Sequence, residues 1–275
     1  MNELRWKNRE GLNLYAEEWP VQNPQAVIAF VHGQGEHIGR YGHVADWYNK
    51  RGVAFLGFDQ QGYGRSEGKR GHAASLDVLL DDIGQLLEEA NRRYPGVPLF
   101  LYGHSMGGQL VLNYALRRTP RLSGLIATGP WIRLAFQAPA VKILAAKLLN
   151  KIIPSLTMPT NLATKFLSRD ESVVHAYEND PLVHGMLSVA AAMSLLEGAG
   201  WLDRFSGPVA PPILLMHGSG DMITSPAATK AFSGRIQGNT MHREWPGLYH
   251  EIHNEPEREE VFEYTFQWMN NLHLV

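Results

Sequence analysis

From the N-terminus, the first regular pattern is an alternation: Leu12, Leu14, Ala16 and Glu18 interleave with Asn13, Tyr15, Glu17 and Trp19. Asn8 to Gly11 can turn the chain just before it, so the segment predicts an N-terminal antiparallel hairpin. The pattern then changes to short runs of continuous apolarity that lead into turns. These are AVIAFVHG (26–33), VAFLGFD (53–59), VPLFLYG (97–103), LSGLIATG (122–129) and PPILLMHG (211–218). Strands apolar at every position are buried on both faces, as in a parallel sheet covered by helices. TMHREW (240–245) is a weaker, final strand candidate.

Helical periodicity fills the gaps. Leu76, Leu79, Leu80, Ile83, Leu86, Leu87 and Ala90 fall on one stripe, with Asp77, Asp81, Glu88 and Arg92 on the solvent side. A second stripe runs through Leu110, Val111, Tyr114 and Ala115, and a third, opening at Pro256, through Val261, Phe262, Phe266 and Met269. Alternating strands and helices predict an open, doubly wound, mostly parallel α/β sheet. From Trp131 to Gly200 only helical patterns occur, separated by Pro139, Pro154, Pro159 and Pro181. About 70 residues do not form a bare loop in a compact domain. The expected organisation is therefore a core of residues 1–130 and 201–275 with a helical cap inserted at 131–200. Within the cap, Val141, Leu144, Ala145, Leu148 and Ile152 form an apolar stripe opposed by Lys142, Lys147, Asn150 and Lys151. That stripe predicts a helix covering the site; the alternative is transient contact with a membrane surface, lysines at the headgroups.

Composition narrows the class. With 275 residues, 44% hydrophobic and 19% charged, the chain is long and apolar enough for one large core. A net charge of −2 without a Lys/Arg cluster gives no footprint for nucleic acid. Cysteine is absent, which removes disulfides, a thiol nucleophile and a Cys-type zinc site. There is no apolar leader and no run of the ~18 apolar residues that a spanning helix needs, so a cytoplasmic protein is expected.

The pattern G-x-S-x-G occurs twice, at Gly103-His104-Ser105-Met106-Gly107 and at Gly64-Arg65-Ser66-Glu67-Gly68. A nucleophile elbow needs a strand entering and a helix leaving, because the serine sits at a strained turn that tolerates only small neighbours. Ser105 has both; Ser66 lies in a polar, glycine-broken loop, with no helical pattern before about Ser75. A serine hydroxyl needs a base. Of 12 histidines, His43, His72 and His175 read as loop or helix-surface residues, and only His250, His253 and His273 lie beyond TMHREW. His273 is at the C-terminus, and position after the turn at 246–249 favours His250, although pattern alone leaves His253 open. The acid is expected at Asp221, at the carboxyl end of PPILLMHG; Asp203 follows a helical segment instead. Two backbone N–H groups must face the oxyanion, one from Met106 and one from the loop His32-Gly33-Gln34-Gly35. The phosphate-loop, dinucleotide and zinc-helix patterns are each missed by at least one position, so no metal and no cofactor are expected.

HGQGEHIGRY (32–41), GRSEGKRG (64–71), GHSMGG (103–108), NDPLVHG (179–185), HGSGD (217–221) and PGLYHEIHNEPE (246–257) together resemble the monoacylglycerol lipase family. The resemblance implies the α/β-hydrolase fold, with Ser105, Asp221 and His250 as triad and Gln34 and Met106 as oxyanion donors. It also implies that Glu36, Arg40 and His253 contact the polar head of a small lipid ester. Gln34 departs from the small residue common between the two glycines, and most of the cap matches little, so acyl-chain length is not carried over. Monoacylglycerol is the expected substrate, with lysophospholipid close behind and short soluble esters as the carboxylesterase alternative. An aminopeptidase is a third class, in which Glu36 would meet a free amine.

Overall fold

The structure is a computed structural model that describes residues 1–136 and 140–272. Pro139, His273 and the side chain of Lys142 lie outside the described residues. In chain order the strands are β1 (Asn2–Lys7), β2 (Asn13–Trp19), β3 (Ala26–Val31), β4 (Val53–Phe58), β5 (Leu99–His104) and β6 (Gly124–Thr128). Then come β7 (Thr157–Pro159), β8 (Met186–Ser188), β9 (Gly207–Pro208), β10 (Ile213–Gly218), β11 (Ile236–Gln237) and β12 (Thr240–Trp245). The helices are α1 (Gly42–Asn49), α2 (Leu76–Arg93), α3 (Met106–Arg118) and α4 (Ala140–Ile152), followed by α5 (Glu171–Glu178), α6 (Val189–Arg204), α7 (Pro226–Ser233) and α8 (Arg258–Asn271).

The main sheet has the order β1-β2-β4-β3-β5-β6-β10-β12. The hairpin β1–β2 is antiparallel and β2 runs antiparallel to β4, while every pair from β4 to β12 is parallel. The unbroken apolar runs are explained by alternation between two buried faces. On β3, Val27, Ala29 and Val31 join a core shared with α2, α3, α6 and α7, whereas Ile28 and Phe30 join the aromatic layer under α1 and α8. Because both faces carry helices, functional groups collect in the loops beyond the carboxyl ends of the parallel strands.

Parts of the segment between residues 140 and 200 bond to those loops. The backbone N–H of His184 donates to Gly35 O (3.0 Å) and that of Ser188 to Gly71 O (2.8 Å), while His250 N and Glu251 N donate to Phe166 O and Leu167 O. The segment is not purely helical, since β7 and β8 pair antiparallel within it. Three-residue strands are too short to carry a readable alternation, which is why the pattern showed only helices. Helix α6 continues across residue 200 to Arg204, burying Ala191, Leu195 and Leu202 against the core. At its end Asp203 pairs with Arg133 through two hydrogen bonds of 2.9 Å. The last helix starts at Arg258, two residues after Pro256, because Glu255 is drawn inward to accept from Tyr249 N.

On α4 the expected apolar stripe faces outward. Val141, Leu144, Leu148 and Ile152 are 72%, 59%, 58% and 74% exposed, and Ala145 is exposed too. The stripe is therefore not packed against the rest of the described chain; the half-buried Ile143 looks instead onto a groove beside Met193 and Leu196 of α6.

Ser66 is buried and structural. Its hydroxyl donates to Asp59 O and accepts from Tyr15 N (2.8 Å), fastening its loop to β2. Ser66→Ala strands both backbone groups, and a stability loss of about 1–3 kcal/mol is expected. Urea unfolding should show a lower midpoint at unchanged slope; a wild-type midpoint would contradict this account.

Candidate active site

The sequence around Ser105 makes a sharp strand-to-helix turn. β5 ends at His104, Ser105 takes φ 55° and ψ −115°, and α3 begins at Met106. Non-glycine residues rarely adopt positive φ, and holding one there costs about 1–3 kcal/mol. The glycines on either side are required by space. A Cβ on Gly103 would sit 2.3 Å from Gly107 O, and one on Gly107 would sit 2.1 Å from Val31 O. Ser105 N donates to Thr128 O (2.9 Å), pinning the turn to β6.

Three strand ends bring their side chains together here. Ser105 Oγ lies 2.8 Å from His250 Nε2, and His250 Nδ1 lies 2.7 Å from Asp221 Oδ2. With Nδ1–H donating to the carboxylate, Nε2 is left to accept the serine proton. Asp221 stands just past β10 and His250 just past β12, and both are buried.

The carboxylate is held from every side. Its Oδ1 accepts from Ile223 N (2.7 Å) and Thr224 N (3.0 Å), and Oδ2 also accepts from His217 Nε2 (2.9 Å). Burial opposes its charge, but His250 and His217 beside it keep the group well below the usual carboxylate range. For His250, burial works against the charged ring, yet Asp221 outweighs it and raises the proton affinity above the ordinary histidine value. His104, with its ring centroid 4.8 Å from that of His250, is driven well below that value by burial.

Gly33 packs against the serine, and a Cβ built on it would lie 3.2 Å from Ser105 Cβ. Its own N–H is engaged by Glu36 Oε1 (2.6 Å). The next N–H, that of Gln34, and that of Met106 have no acceptor among the described residues. Both are therefore available to an oxygen outside the protein.

Glu36, Arg40 and His253 sit together in a buried polar cluster beside this loop. Glu36 accepts from Gly33 N, Tyr41 Oη (2.7 Å) and Arg40 Nη1 (2.5 Å). Arg40 also grips Glu251 through two bonds of 2.8 Å, and its guanidinium lies 4.7 Å from the ring centroid of Tyr177 in α5. His253 packs between Tyr41 and His104; its Nε2 is buried without a partner among the described residues, and burial lowers its pKa to about 3. Glu251, His217 and Thr224 belong to this site but escaped the sequence reading. Glu251 and His217 stand inside HEIHNEPE and HGSGD, so their only signal was adjacency to residues already singled out.

Residues 22–257 match the family described as serine aminopeptidase, S33. The chain is 36% identical over 273 residues to an abhydrolase domain-containing protein of Dictyostelium discoideum, spanning 98% of its own length and 29% of that protein. Against the monoacylglycerol lipase of Mycolicibacterium smegmatis it is 33% identical over 262 residues, covering 94% of this chain and 93% of the other. The crystal structure of Paleococcus ferrophilus monoacylglycerol lipase matches with a TM-score of 0.86 at 32% identity, covering 94% of this chain and 99% of that one. Fold and relatives together define a carboxylic ester hydrolase of the α/β-hydrolase class. Within that class, the chain belongs to the monoacylglycerol lipase family.

The three clustered histidines should separate in an NMR pH titration of their ring nitrogens. His250 is expected to take up its proton above about 6.5, the unperturbed histidine value. His253 should stay neutral down to about 3 and His104 should also titrate well below an ordinary histidine. Protonation of His253 or His104 before His250 would overturn this assignment.

Proposed function

We propose that the chain hydrolyses the acyl ester of monoacylglycerols through an acyl-enzyme on Ser105. The supporting observation is the unbroken contact from Ser105 Oγ to His250 to Asp221, at 2.8 and 2.7 Å, made by residues far apart in sequence. In this reading Ser105 Oγ attacks the ester carbonyl as His250 Nε2 takes its proton. Asp221 holds the ring in the tautomer that leaves Nε2 free and stabilises the imidazolium. The N–H groups of Gln34 and Met106 receive the developing oxyanion. His250 returns the proton to the departing glycerol oxygen, and a water then repeats the sequence on the acyl-enzyme.

The polar head is assigned to the cluster of Glu36, Arg40 and His253. His253 Nε2, buried and unpartnered, is the atom best suited to meet a glycerol hydroxyl. Glu36 is already engaged by Gly33, Tyr41 and Arg40, which weighs against its receiving a free amine and so favours ester over peptide substrates. Lysophospholipid is the second reading, because it presents one acyl ester beside a free hydroxyl.

The outward stripe on α4 favours contact with a lipid surface over a covering role. Four large apolar side chains more than half exposed, flanked by the exposed Lys147 and Lys151, suit an acyl boundary with anionic headgroups.

Two measurements test this reading. Hydrolysis of a monoacylglycerol series, a matched lysophospholipid and short esters should favour the monoacylglycerols, and Ser105→Ala should lose on the order of 10⁴-fold or more. An active Ser105→Ala would remove the nucleophile assignment; turnover of short esters alone would keep the chemistry and discard the lipid substrate. In flotation with anionic liposomes the protein should rise with the vesicles, and Leu144→Asp with Leu148→Asp should leave it at the bottom. Failure of the unaltered protein to float rules out membrane contact.

A further inference from the structure

The loop that carries His250 and the loop that carries Gln34 belong to opposite halves of the sheet, beyond β12 and β3. Their relative position decides whether base and oxyanion donors face the same carbonyl. Both His250 N and Glu251 N are bonded to carbonyls of the cap rather than of the core. The charged link to the oxyanion loop runs through the neighbouring residue. Both oxygens of Glu251 bond Arg40 at 2.8 Å, and Asn254 Nδ2 adds a third bond at 2.7 Å. Arg40 Nη1 continues to Glu36 Oε2 (2.5 Å), and Glu36 Oε1 holds Gly33 N, the amide immediately before Gln34.

We propose that Glu251 is a positioning residue: through Arg40 and Glu36 it locks the loop bearing His250 to the loop bearing Gln34. The inference rests on the reading of His250 as base and Gln34 as oxyanion donor. Its physical basis is the cost of the arrangement. Burying ions costs several kcal/mol each, and well-packed apolar residues often do as well or better for stability. What a bidentate guanidinium adds is direction: its planar fork fixes Glu251 in angle as well as distance, and Nη1 carries the same orientation on to Glu36. With Gly33 N–H tied to Glu36, the His32–Gly33 peptide that leads into Gln34 is anchored. Burial disfavours the charge on Glu251, but Arg40 beside it keeps the carboxylate ionised.

The test separates positioning from contact with the substrate head. p-Nitrophenyl butyrate has no glycerol, so residues that only bind glycerol are silent with it. Glu251→Gln preserves shape but gives up one charge-assisted bond. Its kcat should fall about 10- to 100-fold on both p-nitrophenyl butyrate and a monoacylglycerol, with KM little changed, as expected for a small misplacement of reacting groups. The double variant Glu251→Gln/Arg40→Gln should lose no more than the worse single one, because both break the same link. Wild-type kcat on p-nitrophenyl butyrate, with the loss confined to KM for monoacylglycerol, would overturn the proposal, as would losses that multiply. Should Glu251→Gln fail to fold, Arg40→Lys keeps the charge without the fork, and wild-type kcat there would equally overturn it. His250→Ala guards the underlying reading: an active His250→Ala refutes the base itself, whereas an inactive one beside a fully active Glu251→Gln refutes only the positioning role.

Discussion

A serine held at positive φ between β5 and α3 is the constraint to which the surrounding architecture answers. That conformation is unfavourable for an L residue with a side chain, so its neighbours must enforce it. Gly103 and Gly107 enforce it by letting strand, turn and helix approach to distances that a Cβ would forbid, and Thr128 O holds the Ser105 amide from the next strand. The turn ends β5 at His104 and starts α3 at Met106, so Ser105 and the first helical N–H are adjacent at one strand-to-helix junction. Strain on one residue thus sets the positions of the proposed nucleophile and of one proposed oxyanion donor together.

The remaining groups meet Ser105 across long stretches of sequence, and buried electrostatics keep them in place. Asp221 has no room to turn, with two backbone amides on one oxygen and two imidazoles on the other. Sharing the carboxylate with His217 spreads its charge over two donors while both rings stay oriented. On the far side, Arg40 joins Glu36, Glu251 and the Tyr177 ring, so the loop after β3, the His250 loop and α5 converge on one guanidinium. Low-dielectric surroundings strengthen such bonds and make each unpaired atom costly, so the buried, unpartnered His253 Nε2 stands out in an otherwise well-bonded cluster.

The cap contributes in two ways that its sequence does not separate. Its inner segments, at 166–167 and 184–188, make backbone hydrogen bonds to the loops of Gly35, Gly71 and His250. Its outer helix α4 turns an apolar stripe to solvent, leaving a groove of about 410 Å³ between itself and α6. An amphipathic helix normally buries its apolar face. Here the inner face of α4 meets α6 with Ile143 and Asn150, and the more apolar face is left exposed among the described residues.

How much was legible follows from what each signal measures. The hairpin, the parallel strands and the α2 stripe were readable because local periodicity reports burial directly, and two buried faces leave a run with no polar break. Ser105 was separable from Ser66 because a strand before and a helix behind are local facts. Asp221 and His250 were candidates from chain order and strand ends, with His253 left open by pattern until the structure set His250 against Ser105 and Asp221. Other features depended on partners. Asp82 lies in α2 beside the apolar stripe, yet it is buried and its carboxyl is pushed up to about 7 by burial. Glu251 looked like any glutamate after a histidine until Arg40, 211 positions away, came to lie against it. The stripe on α4 showed which side of the helix is apolar and not what stands opposite. The sequence by itself thus determined the fold class and singled out Ser105, Asp221 and His250 as candidates, since these rest on periodicity and on short strand-to-turn motifs. Only the tertiary structure decided which polar groups share a buried cluster and which apolar face is left outside, because both depend on contacts between segments that no local pattern encodes.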